Sequence, residues 1–252
     1  MKDQTATNDP TTQKGAWFAN TRWTLIAAAR CANSPGAAEA LETLCRTYWY
    51  PLYAYVRRQG HNAEDAEDLT QGFFCHLLER QFLESVDRQK GRFRSFLLAS
   101  FNYFLSHQRV MARAQKRGGG QPLVSLDDES PEQRFHREPV SNDTPEKMFE
   151  RRWALTVLEQ AQARLRDDYQ SHGKAALFDR LRAFLKEEGD AAQYRQEAVA
   201  LGMTPGAVTV AVHRLRQRYR EMILAEISRT VSAPEEVESE YRYLREVLSG
   251  AR

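Results

Sequence analysis

The chain has 252 residues, of which 42% are hydrophobic and 28% charged, and its formal net charge is +2. That length and balance fit one large or two small globular domains with real cores, and exclude a low-complexity or collagen-like chain. So small a net charge names no partner by itself, and no apolar run approaches the roughly 18 residues of a membrane span, so membrane insertion is not expected.

The N-terminal stretch MKDQTATNDPTTQK is polar and lacks the apolar centre of a secretory signal, which predicts a loose tail. Cys31, Cys45 and Cys75 show no C-x-x-C spacing, as expected of reduced thiols in a cytoplasmic protein. In NSPGAAEALETLCRTYWY, Ser34 stands at a cap position and Pro35 at the first helical one, with Leu41, Leu44 and Tyr48 at helical spacing. Pro51 is expected to kink this helix or break it before Tyr53, and Gly60 to end the segment. A second helix is predicted from Ala63 to Phe82, with Ala66, Leu69, Phe73 and Leu77 as its buried stripe. Glu64, Asp65, Glu67 and Asp68 fall in its first turns, where the helix dipole favours negative charge. After the loop DRQKGR, a third helix is predicted from Phe93 to Arg117, carrying Phe93, Phe96, Leu97, Phe101, Tyr103, Phe104 and Leu105.

Charge is unevenly spread along the chain. Arg88 to Arg117 contains eight Lys/Arg and no Asp/Glu, whereas Asp127 to Glu150 contains eight Asp/Glu against three Lys/Arg. Local potential of this kind governs phosphate binding more than net charge does. The basic block interleaves Arg92, Arg94, Arg109, Arg113 and Lys116 with aromatics. Cations can track a phosphate backbone while aromatic and polar side chains hold unstacked bases, so single-stranded or melted nucleic acid suits the block better than intact duplex. Phe93, Phe96, Leu97 and Phe104 are expected in the core all the same.

GGGQP, Gly118 to Pro122, ends the third helix, and the acidic, Ser- and Pro-bearing stretch that follows has no convincing period, which predicts a linker between two helical domains. Thr144-Pro145 starts new helices. Trp153, Ala154, Leu158, Ala161 and Leu165 form one apolar stripe, and Leu177, Leu181, Phe184 and Leu185 another, closed by Gly189. AAQYRQEAVALG then reads as a short helix, Gly202-Met203 as a tight turn, Thr204 as the cap of the next helix and Pro205 as its first residue. Val208, Val212, Leu215 and Tyr219 recur as a core stripe. This is a helix-turn-helix pattern, and the arginines at 214, 216, 218 and 220 strengthen it. A solvated basic face on a packing helix is the alternative. No Gly-rich phosphate loop, zinc spacing or paired catalytic motif occurs, and the histidines are scattered, so the chain is not expected to be an enzyme or to need a cofactor or metal.

Three stretches, in order, resemble a bacterial RNA polymerase sigma factor of the extracytoplasmic-function (ECF) type. HNAEDAEDLTQGFFCHLL is similar to the acidic helix that binds the clamp helices of the polymerase largest subunit. KGRFRSFLLASFNYFLSHQR is similar to the promoter-melting helix, and YRQEAVALGMTPGAVTVAVHRLRQRYREMI to the helix-turn-helix of the second domain. The resemblance implies an all-α, two-domain protein. Its expected parts are a tail over 1–20, a polymerase-binding and −10-melting domain over 21–117, a linker over 118–143, a −35 domain over 144–231 and an amphipathic helix over 232–252.

The resemblance also assigns roles. Asp65, Asp68 and Gln71 would bind polymerase, with Leu69 in the core and Gly72 standing where many members have Glu. Arg92, Arg94, Asn102, Arg109 and Arg113 would meet the −10 element, with Ser106 replacing the family's Asp. Thr204, Gly206, Thr209, Val210, His213, Arg214, Arg216 and Arg218 would meet the −35 element. The recognition helix departs from the family, since Thr209 and Ala211 occupy positions often held by Lys or Arg, and Glu197 replaces a usually buried Ile. Implied partners are core RNA polymerase (clamp helices and flap), promoter DNA and an anti-sigma or other regulator. The C-terminal helix presents Val237, Tyr241, Leu244 and Leu248 on one face, with Ser232 and Glu235 as a capping box about Pro234. It is expected either to pack against the second domain or to dock a regulator. The other functional readings are a stand-alone helix-turn-helix regulator of duplex DNA and an RNA-binding module built on the basic-aromatic block.

Overall fold

The computed structural model describes residues 37–77, 92–114, 130–138, 143–231 and 234–250, with side chains described from Cys45 onward and not over 111–114. The expectations for the N-terminal tail, the Ser34–Pro35 cap, the end of the second helix, the loop before Arg92, the GGGQP break and the Ser232 capping box lie outside those residues. Among the described residues every regular element is helical, and no single helix is long and apolar enough to cross a membrane. The chain divides into two compact units, one comprising residues up to Ala154 together with Ser228 onward, the other Leu155–Ile227.

In the first unit, α1 runs from Ala37 to Arg58 without interruption through Pro51, so the expected break does not occur. A mid-helix proline costs roughly 3 kcal/mol. Burial on all sides offsets it, because every side chain from Tyr50 to Val56 is buried and a helix apolar all round belongs inside. Gly60, at φ 92°, ends the segment as expected. Helix α2 spans Ala63–Leu77 and α3 spans Phe93–Ala114. Ala66, Thr70, Phe73, Phe74 and Leu77 are the buried residues of α2, with Leu69 only half-buried. The Phe73 ring lies 4.8 Å from that of Phe101 and 5.8 Å from that of Phe104. A Cβ at Gly72 would sit 3.4 Å from the Phe104 ring, so α2 passes close to α3 there. Cys45 is half-buried and Cys75 exposed, both free, and burial pushes the Cys45 thiol up to about 11.

Helix α9, Val237–Ser249, follows a 3-10 turn over Pro234–Glu236 and belongs to the first unit. Its buried residues are Glu240, Tyr243 and Leu244, while Val237, Tyr241 and Leu248 are half-buried. A buried arginine, Arg94, recruits Glu240 into the seam, which hydropathy alone assigns to neighbouring positions. The Phe93 N–H donates to the Thr230 carbonyl at 3.2 Å and anchors the preceding segment.

The second unit gathers the later part of α5 (Pro145–Ser171), α6 (Ala175–Leu181), a 3-10 turn over Arg182–Leu185, α7 (Ala191–Leu201) and most of α8 (Pro205–Ser228). Leu165, Phe178, Leu181, Phe184, Ala198, Val208, Val212 and Leu215 form its core. The stripes read from the sequence therefore point inward. Leu158 is only half-buried, and its carbonyl accepts from the Tyr219 hydroxyl at 3.1 Å.

The acidic stretch expected to be a linker contains a helix, α4, Pro131–Arg137, capped by Ser130. Its charges hold it to α1. Arg57 donates to both Glu132 oxygens, at 2.9 Å to Oε2 and 2.6 Å to Oε1. The Tyr53 and Tyr50 hydroxyls donate to Glu132 and Glu138, and Arg134 lies 4.0 Å above the Tyr50 ring. Met148, Phe149 and Trp153 are buried in the same unit, which moves the division between units from residue 143 to residue 154. No apolar period announces α4, because none of its residues is buried. The hydrogen bonds from Arg57 hold the Glu132 carboxyl below the usual carboxylate range. A depressed folded value means the contact contributes fully above the unfolded pKa of about 4.3 and is lost as pH falls through the folded value. Glu132→Gln is expected to cost about 1 kcal/mol at neutral pH, the pair being partly exposed. The wild-type advantage over Glu132→Gln should vanish between about pH 5 and pH 3, measured by chemical denaturation across that range.

Candidate nucleic-acid interface

Helix α7 starts with a full capping box, in which Asp190 accepts from the Ala192 and Gln193 amides while the Gln193 side chain accepts from the Asp190 amide. It ends at Gly202, whose φ of 63° lies in the left-handed region and lets the Met203 N–H reach the Ala198 carbonyl at 2.9 Å. The Thr204 hydroxyl accepts from the Ala207 amide at 3.2 Å and opens α8. The axes of α7 and α8 meet at 99°. Val208, Val212 and Leu215 of α8 face the core, which leaves Thr204, Gly206, Thr209, Val210, His213 and Arg214 exposed. Val210 is 50% exposed. The departures from the ECF pattern are accommodated locally. Ala211 is half-buried against the core, and Glu197 is half-buried with its carboxylate 2.7 Å from Arg180.

The α8 arginines do not behave alike. Arg216 donates to the Phe184 carbonyl at 2.9 Å and to the Glu187 carbonyl at 3.0 Å, tying down the end of the 3-10 turn. Arg218 bonds both oxygens of Asp168 at 3.3 Å and Glu221 at 2.9 Å. These bonds raise the Arg218 guanidinium and lower the Asp168 carboxyl. Arg214 is exposed and has no partner among the described residues. Two of the three arginines assigned to phosphates thus have internal duties, because carbonyls and a carboxylate from other elements lie within their reach.

On α3 the sequence-assigned residues separate in the same way. Arg94 is 3% exposed and ion-paired with Glu240, so its charge is not offered to solvent as expected. Arg92 is one-third exposed and lies 2.7 Å from the other Glu240 oxygen. Asn102 is half-buried, and its Oδ1 accepts from the Tyr55 hydroxyl at 2.8 Å, which makes it part of the packing. Ser106 donates to the Asn102 carbonyl at 2.8 Å. Arg109 is exposed and touches Gln59 at 2.9 Å, and the side chain of Arg113 lies outside the described residues. Phe93, Phe101 and Phe104 are buried. Tyr103 is 66% exposed, and Val110, 65% exposed, is also uncovered. Tyr103 is the side chain that sequence reasoning passed over as a site; its position between the buried Phe101 and Phe104 on a 3.6-residue period was the available signal.

On α2, Glu64, Asp65, Glu67 and Asp68 are all exposed, while Gln71 is half-buried. The Asn62 side chain caps the helix by accepting from the Asp65 amide at 2.7 Å. The Asp65 and Asp68 carboxylates have no partner among the described residues, so they are held outward by the helix and used by nothing within it.

The division among the α8 arginines has a measurable consequence. Arg216→Ala should destabilise the protein by about 1.5 kcal/mol through its two carbonyl contacts. Arg214→Ala should change stability by less than about 0.5 kcal/mol. Urea unfolding of both variants checks the contrast. No protein-family model, curated protein or solved structure matches this chain.

Proposed function

We propose that this chain is a bacterial sigma factor of the ECF type, acting in the cytoplasm with core RNA polymerase. The observation that carries the reading is the row of exposed carboxylates on α2, Glu64, Asp65, Glu67 and Asp68, which make no hydrogen bond or ion pair among the described residues. An acidic helical face without an internal partner suits docking to a basic protein surface, and a stand-alone DNA regulator has no use for it. In this reading α2 anchors the protein to the polymerase clamp helices. The exposed face of α3, with Tyr103 and Arg109, receives the separated −10 strand, Tyr103 by stacking and Arg109 at a phosphate. Helices α7 and α8 act as a helix-turn-helix on the −35 duplex. Thr209, Val210 and His213 face base edges, and Arg214 contacts a phosphate next to them. Nucleotide addition belongs to the polymerase, so the chain itself performs no chemistry.

The stand-alone helix-turn-helix regulator is the second reading, favoured by the α7–α8 geometry alone. Pull-down of core polymerase followed by run-off transcription separates the two, since only a sigma factor directs initiation. Asp65→Arg with Asp68→Arg should abolish co-purification with core polymerase and leave helicity by circular dichroism unchanged. Tyr103→Ala should leave closed-complex formation intact and reduce permanganate reactivity near the start site roughly tenfold, in line with about 1–3 kcal/mol per stacked base. Arg214→Ala should weaken duplex binding at all sequences and flatten the logarithmic salt slope by about one unit. Full polymerase binding by the double arginine variant would overturn the assignment of α2 as the anchor, and absence of polymerase binding by the unmutated chain would leave the regulator as the better reading.

A further inference from the structure

Around Arg94 the first unit holds an arrangement that the proposed function does not use. The Arg94 guanidinium lies between two aromatic rings, 4.8 Å from Trp153 and 4.2 Å from Tyr243. Arg92 is 5.3 Å from the same Tyr243 ring. The Glu240 carboxylate, 1% exposed, divides its oxygens between the two arginines, one on Arg92 at 2.7 Å and the other on Arg94. Glu240 and Tyr243 both come from α9. Arg92 immediately precedes α3, Arg94 lies on α3 and Trp153 on α5.

What α9 supplies here has the chemistry of a nucleotide. A carboxylate is bound by two arginines, as a phosphate would be, and an aromatic ring stacks on a guanidinium, as a base would. The match is incomplete. Arg94 Nε and Trp153 Nε1 are buried donors with no hydrogen-bond partner among the described residues. Unmet buried donors are costly, and the Glu240 carboxylate as placed serves neither of them, its own Oε2 also lacking a hydrogen bond of good geometry. The phosphate and sugar oxygens of a nucleotide offer more acceptors. The α9 contact is also poised to open. Burial pushes the Glu240 carboxyl upward against the pull of both guanidiniums, so desolvation cancels part of the attraction. An isolated helix of 13 residues is marginal in water once its packing is removed.

We propose that Arg92, Arg94 and Trp153 form a binding site for one unit of a single-stranded nucleic acid, and that α9 covers it in the free chain, Glu240 standing in for the phosphate and Tyr243 for the base. The proposal rests on the reading of α3 as a single-strand interface and adds a second, covered site to it. A strand that reaches Arg92 and Arg94 displaces α9, while the Phe93–Thr230 backbone bond keeps the segment before it anchored. In the free chain the covered state lowers apparent affinity by the fraction of molecules whose site is open.

The test uses the full chain and a fluorescein-labelled single-stranded oligodeoxynucleotide, read by fluorescence anisotropy. Glu240→Gln keeps the side-chain shape and removes the charge, and it should bind about tenfold more tightly than wild type by raising the open fraction. Adding Arg94→Ala to that variant should erase the gain. Hydrogen exchange on the unmutated protein gives a readout independent of folding defects, because saturating oligonucleotide should accelerate exchange in Val237–Ser249. Equal binding by Glu240→Gln and wild type, or unchanged or slower exchange in α9 with oligonucleotide bound, overturns the proposal. If Tyr103→Ala and Arg109→Ala weaken binding while Glu240→Gln changes nothing, the covered site is wrong and the single-strand face of α3 stands. Absence of oligonucleotide binding by wild type and every variant, with or without core polymerase, overturns both.

Discussion

Burying the Tyr50–Val56 stretch of α1 on all sides obliges the first unit to satisfy tyrosine hydroxyls deep in its packing. Tyr50, Tyr53 and Tyr55 each place a large ring inside and an O–H that needs an acceptor. The acceptors come from elsewhere in the chain: Glu138 for Tyr50, Glu132 for Tyr53, and Asn102 with Glu146 for Tyr55. This requirement draws α3, α4 and the start of α5 onto one helix. It also explains why an acidic segment with no apolar period is ordered at all. The carboxylates of Glu132 and Glu138 serve as polar core partners for α1 as well as surface charge.

The same economy governs the arginines. Arg57, Arg94, Arg152, Arg216 and Arg218 each meet a carboxylate or carbonyl from a distant part of the chain. Pairs of this kind add less stability than their count implies, because desolvation offsets attraction. Their effect is to define which elements meet. Of the described residues of α3 and α8 assigned to a partner, Arg109 and Arg214 are exposed and make no ion pair among the described residues; Tyr103 and Val210 are exposed apolar groups on the same helices, and the α2 carboxylates are exposed as well. The candidate interface is therefore narrower than the basic composition of α3 and α8 implies.

The unit formed by Leu155–Ile227 illustrates how local rules position a site. Asp190 starts α7 with a capping box, Gly202 ends it in the left-handed region, and Thr204-Pro205 opens α8. Each is a local choice that agrees with the core stripe of Val208, Val212 and Leu215. Together they leave the first two turns of α8 with only small or neutral side chains outward. A surface of that kind offers a partner shape and methyl groups rather than charge.

Helix positions, the α7–α8 turn, the inward stripes of the second unit and the outward carboxylates of α2 were legible in the sequence, because each follows from periodicity or from a cap within a few residues. The passage of α1 through Pro51, the ordering of α4, the placement of α9 in the first unit and the burial of Arg94 were not. Each depends on partners 75 or more residues away, as with Arg57 and Glu132, or Arg94 and Glu240, 146 apart. A residue's type states what contact it needs, a carboxylate for a buried guanidinium or an acceptor for a buried hydroxyl. Which distant residue supplies that contact is decided only when the elements pack, and that packing determines which arginines remain free to meet a partner.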